Sequence, residues 1–479
     1  MEALPLIGRH PELKVLHEAF TAGEAELVAV IGRRRVGKTF LIRRAYAGKI
    51  AFEITGLQNA TKAEQLHSFT KHLQALTDSP LPLRTPDNWL DAFHLLITHL
   101  EEIPNTGRKV VFFDELPWLA THRSGFLRAF GYFWNSWAST KNMVVVICGS
   151  AASWMIRKVV RNKGGLYNRI TRRIYLQPFN LAETSAYLQS RNIRLDHYQI
   201  VQLYMAMGGI PHYLKEVRPG RSAIQNVDTI CFSPQGLLND EFSALYEALF
   251  DRADRHIAII RTLAAARYGL SRSELIQRSE LSDGGGTSKV LEELVSSGFI
   301  LSQRTFGHKK KETCYRLIDE YSLFYLKFIE PHQREGGGTW LQLSQSQTWQ
   351  SWSGYVFEGI CWRHIAQIKS AMSIAGIHST TSTYHHRGDA EIPGVQIDLL
   401  LDRSDQVISL FELKFYRDNP LIDKQLDSAL RRKLTLFRKA TKTKKHLQLI
   451  WLSTFPLIDN QYSTGIIDQA FDMDILFQP

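Results

Sequence analysis

The sequence predicts an α/β protein: a parallel sheet carrying a phosphate-binding loop, a helical lid, a helix-and-hairpin middle domain and a C-terminal α/β domain. Three observations predict it. Strand-like apolar runs at residues 27–31, 50–54, 109–113, 143–148 and 173–176 alternate with helical stretches such as 63–76 and 89–102, the pattern of a parallel sheet covered by helices. The turn between the first run and the next helix is glycine-rich and carries G-x-x-x-x-G-K-[ST]. Far downstream, two more apolar strands are interrupted by charged residues at alternating positions.

In chain order, residues 6–20 read as a turn at Gly8-Arg9 followed by an amphipathic helix with Leu13, Leu16 and Phe20 at helical spacing. The nucleotide segment comes next: Gly32, Arg33, Arg34, Arg35, Val36, Gly37, Lys38, Thr39 and Phe40. Two glycines let the backbone curl so that successive N–H groups face phosphate oxygens at a helix N-terminus. Lys38 is expected to reach the β- and γ-phosphates, and the Thr39 hydroxyl to sit on Mg²⁺. A strand ending in Asp114-Glu115 supplies the complementary carboxylates beyond the loop, where open α/β sheets bind ligands. Asp114 is expected to hold Mg²⁺, and Glu115 to orient or deprotonate the attacking water.

The next strand ends at Ser150, whose hydroxyl suits either a γ-phosphate sensor or a helix N-cap. Arg169 is the expected arginine finger, reaching a neighbouring copy's γ-phosphate in a homo-oligomer; a surface arginine is the alternative. Gly208-Gly209-Ile210-Pro211 forces a defined turn in a helical region.

Taken together, Gly8-Arg9, the Arg-rich loop, Asp114-Glu115-Leu116-Pro117-Trp118-Leu119, Cys148-Gly149-Ser150 and Gly208-Gly209-Ile210-Pro211-His212-Tyr213-Leu214 resemble the archaeal-type ATPase family, in the AAA+/STAND branch of P-loop ATPases. The resemblance covers residues 1–245. It implies ATP as the ligand, with Gly8, Arg9, Gly209 and Pro211 flanking the adenine and Ser150 in the sensor position. The chain departs at Leu116, where the family more often has an aromatic, and at Asn168, where it often has glycine.

Residues 251–320 change texture to three short helices and a hairpin, the outline of a winged helix. Such a unit serves either as a DNA reader, with Lys309-Lys310-Lys311 in its wing, or as a packing module. Residues 251–330 carry 13 Lys+Arg against 11 Asp+Glu, and this balance, with Glu292 and Glu293 on the third helix, favours packing. A linker is expected at 331–346, around Gly336-Gly337-Gly338. The expected domains are therefore residues 1–180, 181–248, 249–330 and 345–479.

In the last domain, Asp398 on one strand and Glu412-x-Lys414 on the next resemble the PD-(D/E)xK nuclease superfamily, a fusion the ATPase family often carries. Period-2 alternation places Glu412 and Lys414 on one face. Asp398 and Glu412 are oxygen donors suited to Mg²⁺, Lys414 can position water, and Glu358 from the preceding helix completes the acidic set. His385-His386-Arg387-Gly388-Asp389 reads as a surface turn before it reads as a metal site. Residues 424–445 hold nine basic residues and one acidic one, either a nucleic-acid contact or a solvated helix face.

The net charge of +11 is concentrated in residues 1–250, with 29 Lys+Arg against 21 Asp+Glu, where phosphates are expected. No apolar run is long enough to span a bilayer, the start lacks the features of a secretion signal, and four scattered cysteines point to a reducing cytoplasm. The expected function is a cytoplasmic ATPase, using ATP and Mg²⁺, that controls a metal-dependent nuclease acting on nucleic acid, DNA rather than RNA. The alternative is a STAND-like signalling switch whose C-terminal domain binds nucleic acid or protein without cleavage.

Overall fold

The computed structural model describes residues 6–77, 82–104, 107–161, 164–250, 252–307, 313–386, 388 and 393–478. The chain divides into two compact units, residues 1–177 and 178–479.

The first unit is a five-stranded sheet of β1 (Glu26–Ile31), β2 (Ile50–Thr55), β3 (Lys109–Asp114), β4 (Met143–Gly149) and β5 (Arg172–Tyr175), all parallel, in the order β2-β3-β4-β1-β5. Every residue of β1 and β4 is buried. Apart from Glu26, which pairs with Arg172 at 3.1 Å, both strands are apolar, because a parallel strand covered on both faces has no solvent side to make polar. One covering layer is aromatic. Phe93 stacks on Phe133 at 5.1 Å, and Trp89 meets Phe126 edge-on at 4.8 Å. The helices of this layer start where their sequences say they should: Thr61 and Glu64 form a capping box for Lys62–Gln74, and Asn88 caps Trp89–Glu102.

The second unit opens with helices Leu181–Ser190, His197–Met207, Pro211–Leu214, Ala223–Cys231 and Glu241–Glu247. Helices Ala253–Ala264, Arg272–Ser279 and Gly285–Ser296 follow, beside an antiparallel sheet of β6 (Leu270–Ser271), β7 (Ile300–Arg304) and β8 (Thr313–Leu317) in the order β6-β8-β7. The basic turn Lys309-Lys310-Lys311 lies outside the described residues.

Residues 331–346 correct the linker expectation. Trp340 is buried and stacks on Phe232 at 5.8 Å, while the N–H groups of Gly338 and Trp340 both donate to Asp228. One large aromatic outweighs the glycine-rich composition around it.

Helix Gln347–Arg363 then leads to a second five-stranded sheet of β9 (Ser379–His386), β10 (Val395–Arg403), β11 (Val407–Lys414), β12 (His446–Ser453) and β13 (Gln469–Asp472). Its order is β13-β12-β11-β10-β9. β9, β10 and β11 form an antiparallel meander; β12 and β13 run parallel to β11. The crossover from β11 to β12 is the basic helix Lys424–Thr441, which buries Leu430 and Phe437.

Candidate functional site

The loop after β1 is shaped by two different constraints on its glycines. Gly37 has φ +92°, a conformation that L side chains rarely adopt, and it starts helix Lys38–Ala45. A Cβ on Gly32 would lie 2.4 Å from the carbonyl oxygen of Leu176, so here glycine is required by close backbone approach.

The chemistry-bearing side chains gather at the carboxyl ends of β1, β3 and β4. The Lys38 ammonium donates to the loop carbonyls of Gly32 and Arg33, at 2.9 and 3.1 Å, and lies 3.9 Å from Glu115. The Thr39 hydroxyl donates to Asp114 Oδ2 at 2.8 Å. Asp114 Oδ1 accepts the backbone N–H of Glu115 and the thiol of Cys148. Glu115 Oε2 accepts both the N–H and the hydroxyl of Ser150, at 2.9 and 2.8 Å. Ser150 is therefore turned towards Glu115, and the N-cap of the following helix, Ala152–Met155, is Ala151.

Glu115 itself has φ 46°, a left-handed conformation uncommon for a non-glycine residue. Gly56 makes room for it, since a Cβ there would meet the Glu115 carbonyl oxygen at 2.7 Å. Gln65 braces the same corner, donating to the carbonyls of Leu57 and Trp118. Gly56 and Gln65 carry no motif signal in the sequence, and Cys148 enters there only as part of Cys148-Gly149-Ser150, with no role of its own. Only contact across the sheet ends gives them a role.

Arg9 starts helix His10–Thr21 with φ 61°, is buried, and donates to the Val36 carbonyl of the loop. Gly8 precedes it in the left-handed region. Arg34 and Arg35 are partly exposed, Arg33 and Val36 buried, and Phe40 exposed, with Arg44 over its ring. Arg169 is exposed in a turn before β5. This donor set suits a magnesium-bound nucleotide: a lysine, a hydroxyl and two carboxylates converge at one loop, with the Thr39 and Asp114 oxygens already 2.8 Å apart.

Gly208, Gly209 and Pro211 belong to the second unit. A Cβ on Gly209 would sit 1.8 Å from the Phe179 carbonyl oxygen, and one on Gly208 would sit 3.1 Å from the Glu320 carboxylate. Glu320 also pairs with Arg363 at 2.8 Å, on the helix that carries Glu358.

That second unit holds a buried charge centre. Leu399 pairs with Phe411 across β10 and β11, and Asp398 and Glu412 are the next residues along on their strands. Glu412 is buried and bound twice: Lys414 lies 2.7 Å from Oε1 and Lys433, from the basic helix, 2.5 Å from Oε2. Burial pushes the Glu412 carboxyl up, but the two ammonium groups outweigh it and hold it below the usual range. Lys414 is correspondingly raised: burial lowers it, and Glu412 more than compensates.

Glu358 pairs with buried Arg316 at 3.0 Å, and the Arg316 guanidinium lies 4.5 Å over the Tyr355 ring. Burial, reinforced by Asp398, pushes Glu358 up to about 7 against the pull of Arg316. Asp398 accepts the Gln396 amide.

The carboxylates are hard oxygen donors, yet as placed they do not fit a divalent cation. Both Glu412 oxygens and one Glu358 oxygen already carry a protein cation. Among the described residues no group of three His, Cys, Asp or Glu side chains is placed to hold a metal ion. His385 and His386 end β9; Arg387 and Asp389 lie outside the described residues. Of the basic stretch 424–445, Lys433 faces Glu412, Lys445 pairs with Asp402 at 2.6 Å and Arg431 with Asp427 at 2.9 Å. Lys424, Arg432 and Arg438 are exposed.

Residues 6–217 match a family model described as an ATPase domain predominantly from Archaea. A curated relative, an uncharacterised protein of Methanocaldococcus jannaschii, is 22% identical over 418 residues, covering 85% of this chain and 87% of that protein. Among solved structures, the Walker-type ATPase of Pyrococcus abyssi is 19% identical with a TM-score of 0.49, covering 67% of this chain and 96% of its own. The ORC2 protein of Aeropyrum pernix is 15% identical with a TM-score of 0.42, covering 70% and 96%. No helix among the described residues is long and apolar enough to cross a membrane. With the loop geometry above, the family match identifies residues 6–217 as an ATPase domain of the kind found predominantly in Archaea.

Proposed function

We propose that the chain is an ATP-binding and ATP-hydrolysing switch whose nucleotide state controls a nuclease-like C-terminal domain acting on nucleic acid. The observation that carries this reading is the convergence of Lys38, Thr39, Asp114, Glu115 and Ser150 on one loop. Lys38 exchanges its loop carbonyls for the phosphates of ATP. Thr39 and Asp114 are the Mg²⁺ holders, and the ion neutralises phosphate charge when bound. Glu115 orients the attacking water and takes its proton; Ser150, now donating to Glu115, is the group that senses the γ-phosphate. Arg169 is exposed and available to a neighbouring copy in a homo-oligomer.

Control of the C-terminal domain is supported by contacts within the second unit. The ATPase match runs through Gly208–Pro211. Gly208 lies under Glu320, and Glu320 holds Arg363 on the helix that carries Glu358. A shift of that turn therefore reaches the charge centre through two ion-paired side chains. Helices Ala253–Ala264, Arg272–Ser279 and Gly285–Ser296 with the β6-β8-β7 sheet are read as a winged helix that carries this relay.

Two forms of action are open to the last domain. Cleavage would need Asp398, Glu412 and Glu358 to hold a divalent ion and Lys414 to position water, and as placed these side chains do not fit one. The protein cations already on Glu412 and Glu358 favour the second form, binding of nucleic acid without cleavage.

The test is incubation of labelled DNA and RNA with Mg²⁺ or Mn²⁺ and ATP, comparing wild type with Asp398→Ala and Lys414→Ala. Cutting that disappears in both variants supports a nuclease. Retention of nucleic acid without cutting supports the binding form. No retention and no cutting in any nucleotide state overturns both.

A further inference from the structure

Helix Lys424–Thr441 sorts its cations by face. Leu430 and Phe437 are its buried residues, and Lys433, in helical phase with both, turns inward to Glu412. The opposite side carries five cations, Lys424, Arg431, Arg432, Arg438 and Lys439, with Ser428 and Thr435 between them, and all seven residues are exposed. The two hydroxyls donate back to the carbonyls of Lys424 and Arg431, each at 2.9 Å, so short side chains lie between the long cations. The helix has one acid, Asp427, and it is paired with Arg431 at 2.9 Å. Lys433 and Lys445 are engaged by Glu412 and Asp402 and add nothing to this surface.

We propose that this outer face docks on the phosphate backbone of a double-stranded nucleic acid. The inference rests on the nucleic-acid reading of the C-terminal domain and assigns the contact to the outside of the helix, away from the charge centre around Glu412. Charge complementarity carries it. From Lys424 to Arg438 the helix rises about 21 Å. Over that length a duplex presents about one phosphate charge every 1.7 Å, so each cation meets a partner without displacing the helix. A single strand is a poorer match, because such sites stack bases on aromatic side chains. The helix's one aromatic, Phe437, is buried and meets Tyr384 of β9 at 4.9 Å. A bilayer is a poorer match too, because a membrane-surface helix turns its apolar side to the lipid. Here that side faces the sheet, and the exposed apolar pair Leu421 and Ile458 lies outside the helix.

The experiment is fluorescence anisotropy of the full chain with a labelled DNA duplex in EDTA, with and without ATP, over a series of KCl concentrations. The proteins are wild type, the face variant Lys424→Gln/Arg432→Gln/Arg438→Gln, and a control, Lys62→Gln/Lys71→Gln/Lys215→Gln, that removes the same charge from exposed positions elsewhere. The expected result is a plot of log affinity against log salt that is shallower by about 2 to 3 in the face variant, with at least tenfold weaker binding at about 0.1 M salt. The control stays within about twofold of wild type, since it leaves the face intact. Arg438→Glu alone reads the same loss if the triple variant unfolds early on a thermal melt. Duplex binding that the face variant matches in affinity and slope overturns the role of this face and leaves the nucleic-acid reading standing. Face-dependent binding of single strands alone, or of phosphatidylserine–phosphatidylcholine vesicles alone, overturns the duplex as the partner. No binding of duplex or single strand by any of the proteins overturns both the inference and the nucleic-acid reading.

Discussion

Glu115 Oε2 accepts two hydrogen bonds from Ser150, one from its N–H at 2.9 Å and one from its hydroxyl at 2.8 Å. The carboxylate that would activate water is thus tied to the end of the neighbouring strand, beside the loop lysine. Glu115→Gln should retain ATP binding and lose hydrolysis by about 10²- to 10⁴-fold, the range for removing a general base. Ser150→Ala removes one of the two bonds and should lower turnover about tenfold, one charge-assisted hydrogen bond's worth. Phosphate release at saturating ATP, with a parallel nucleotide titration, measures both.

Lys38 is buried and held by Gly32 and Arg33 carbonyls, so its charge is aimed at the loop before ligand arrives. Lys38→Ala should weaken ATP binding at least tenfold, about 1.4 kcal/mol or more. Thr39→Ala should weaken binding chiefly when Mg²⁺ is present, because it removes an oxygen ligand and no charge. Calorimetric titration with and without EDTA separates the two.

Gly209 is a packing requirement, since a Cβ there would meet the Phe179 carbonyl oxygen at 1.8 Å. Gly209→Ala should cost about 1–3 kcal/mol through backbone displacement. Thermal unfolding followed by circular dichroism reads it as a drop of several degrees. A melt unchanged from wild type contradicts the packing described.

His364 gives an acid-sensitive contact. Its Nε2 accepts the Leu181 N–H at 2.9 Å, so the ring proton is on Nδ1, facing the Ile360 carbonyl at 2.8 Å. Burial lowers its pKa from 6.5 to about 4. The unfolded chain then binds the proton first, so stability from this group is complete above pH 6.5 and is lost as pH falls through 4. The loss amounts to about 3 kcal/mol at most. His364→Gln should flatten the fall in melting temperature between pH 6.5 and 4 while lowering stability at pH 7.5.

The five parallel strands of the first unit were legible because burial on both faces leaves unbroken apolar runs, and the loop lysine and strand-end carboxylates have fixed spacing. Their order was not legible: apolar runs of equal length do not say that β1 lies between β4 and β5. β9 escaped notice because Ser379–His386 is a mostly polar strand at a sheet edge. Lys433 looked like one charge in a basic stripe. Its inward direction follows from Leu430 and Phe437, and the helical phase of those two was the available signal. Arg316 and Glu358, 42 residues apart, are brought together by tertiary contact alone.

The central claim is that nucleotide state sets what the C-terminal domain does with nucleic acid. The direct measurement is fluorescence anisotropy of labelled DNA and RNA with the full-length Glu115→Gln protein, in ATP, in ADP and without nucleotide. The account predicts that affinity in ATP and ADP differs at least tenfold, about 1.4 kcal/mol of coupling, within the ordinary range for linked sites. Identical affinities in all three conditions would contradict it.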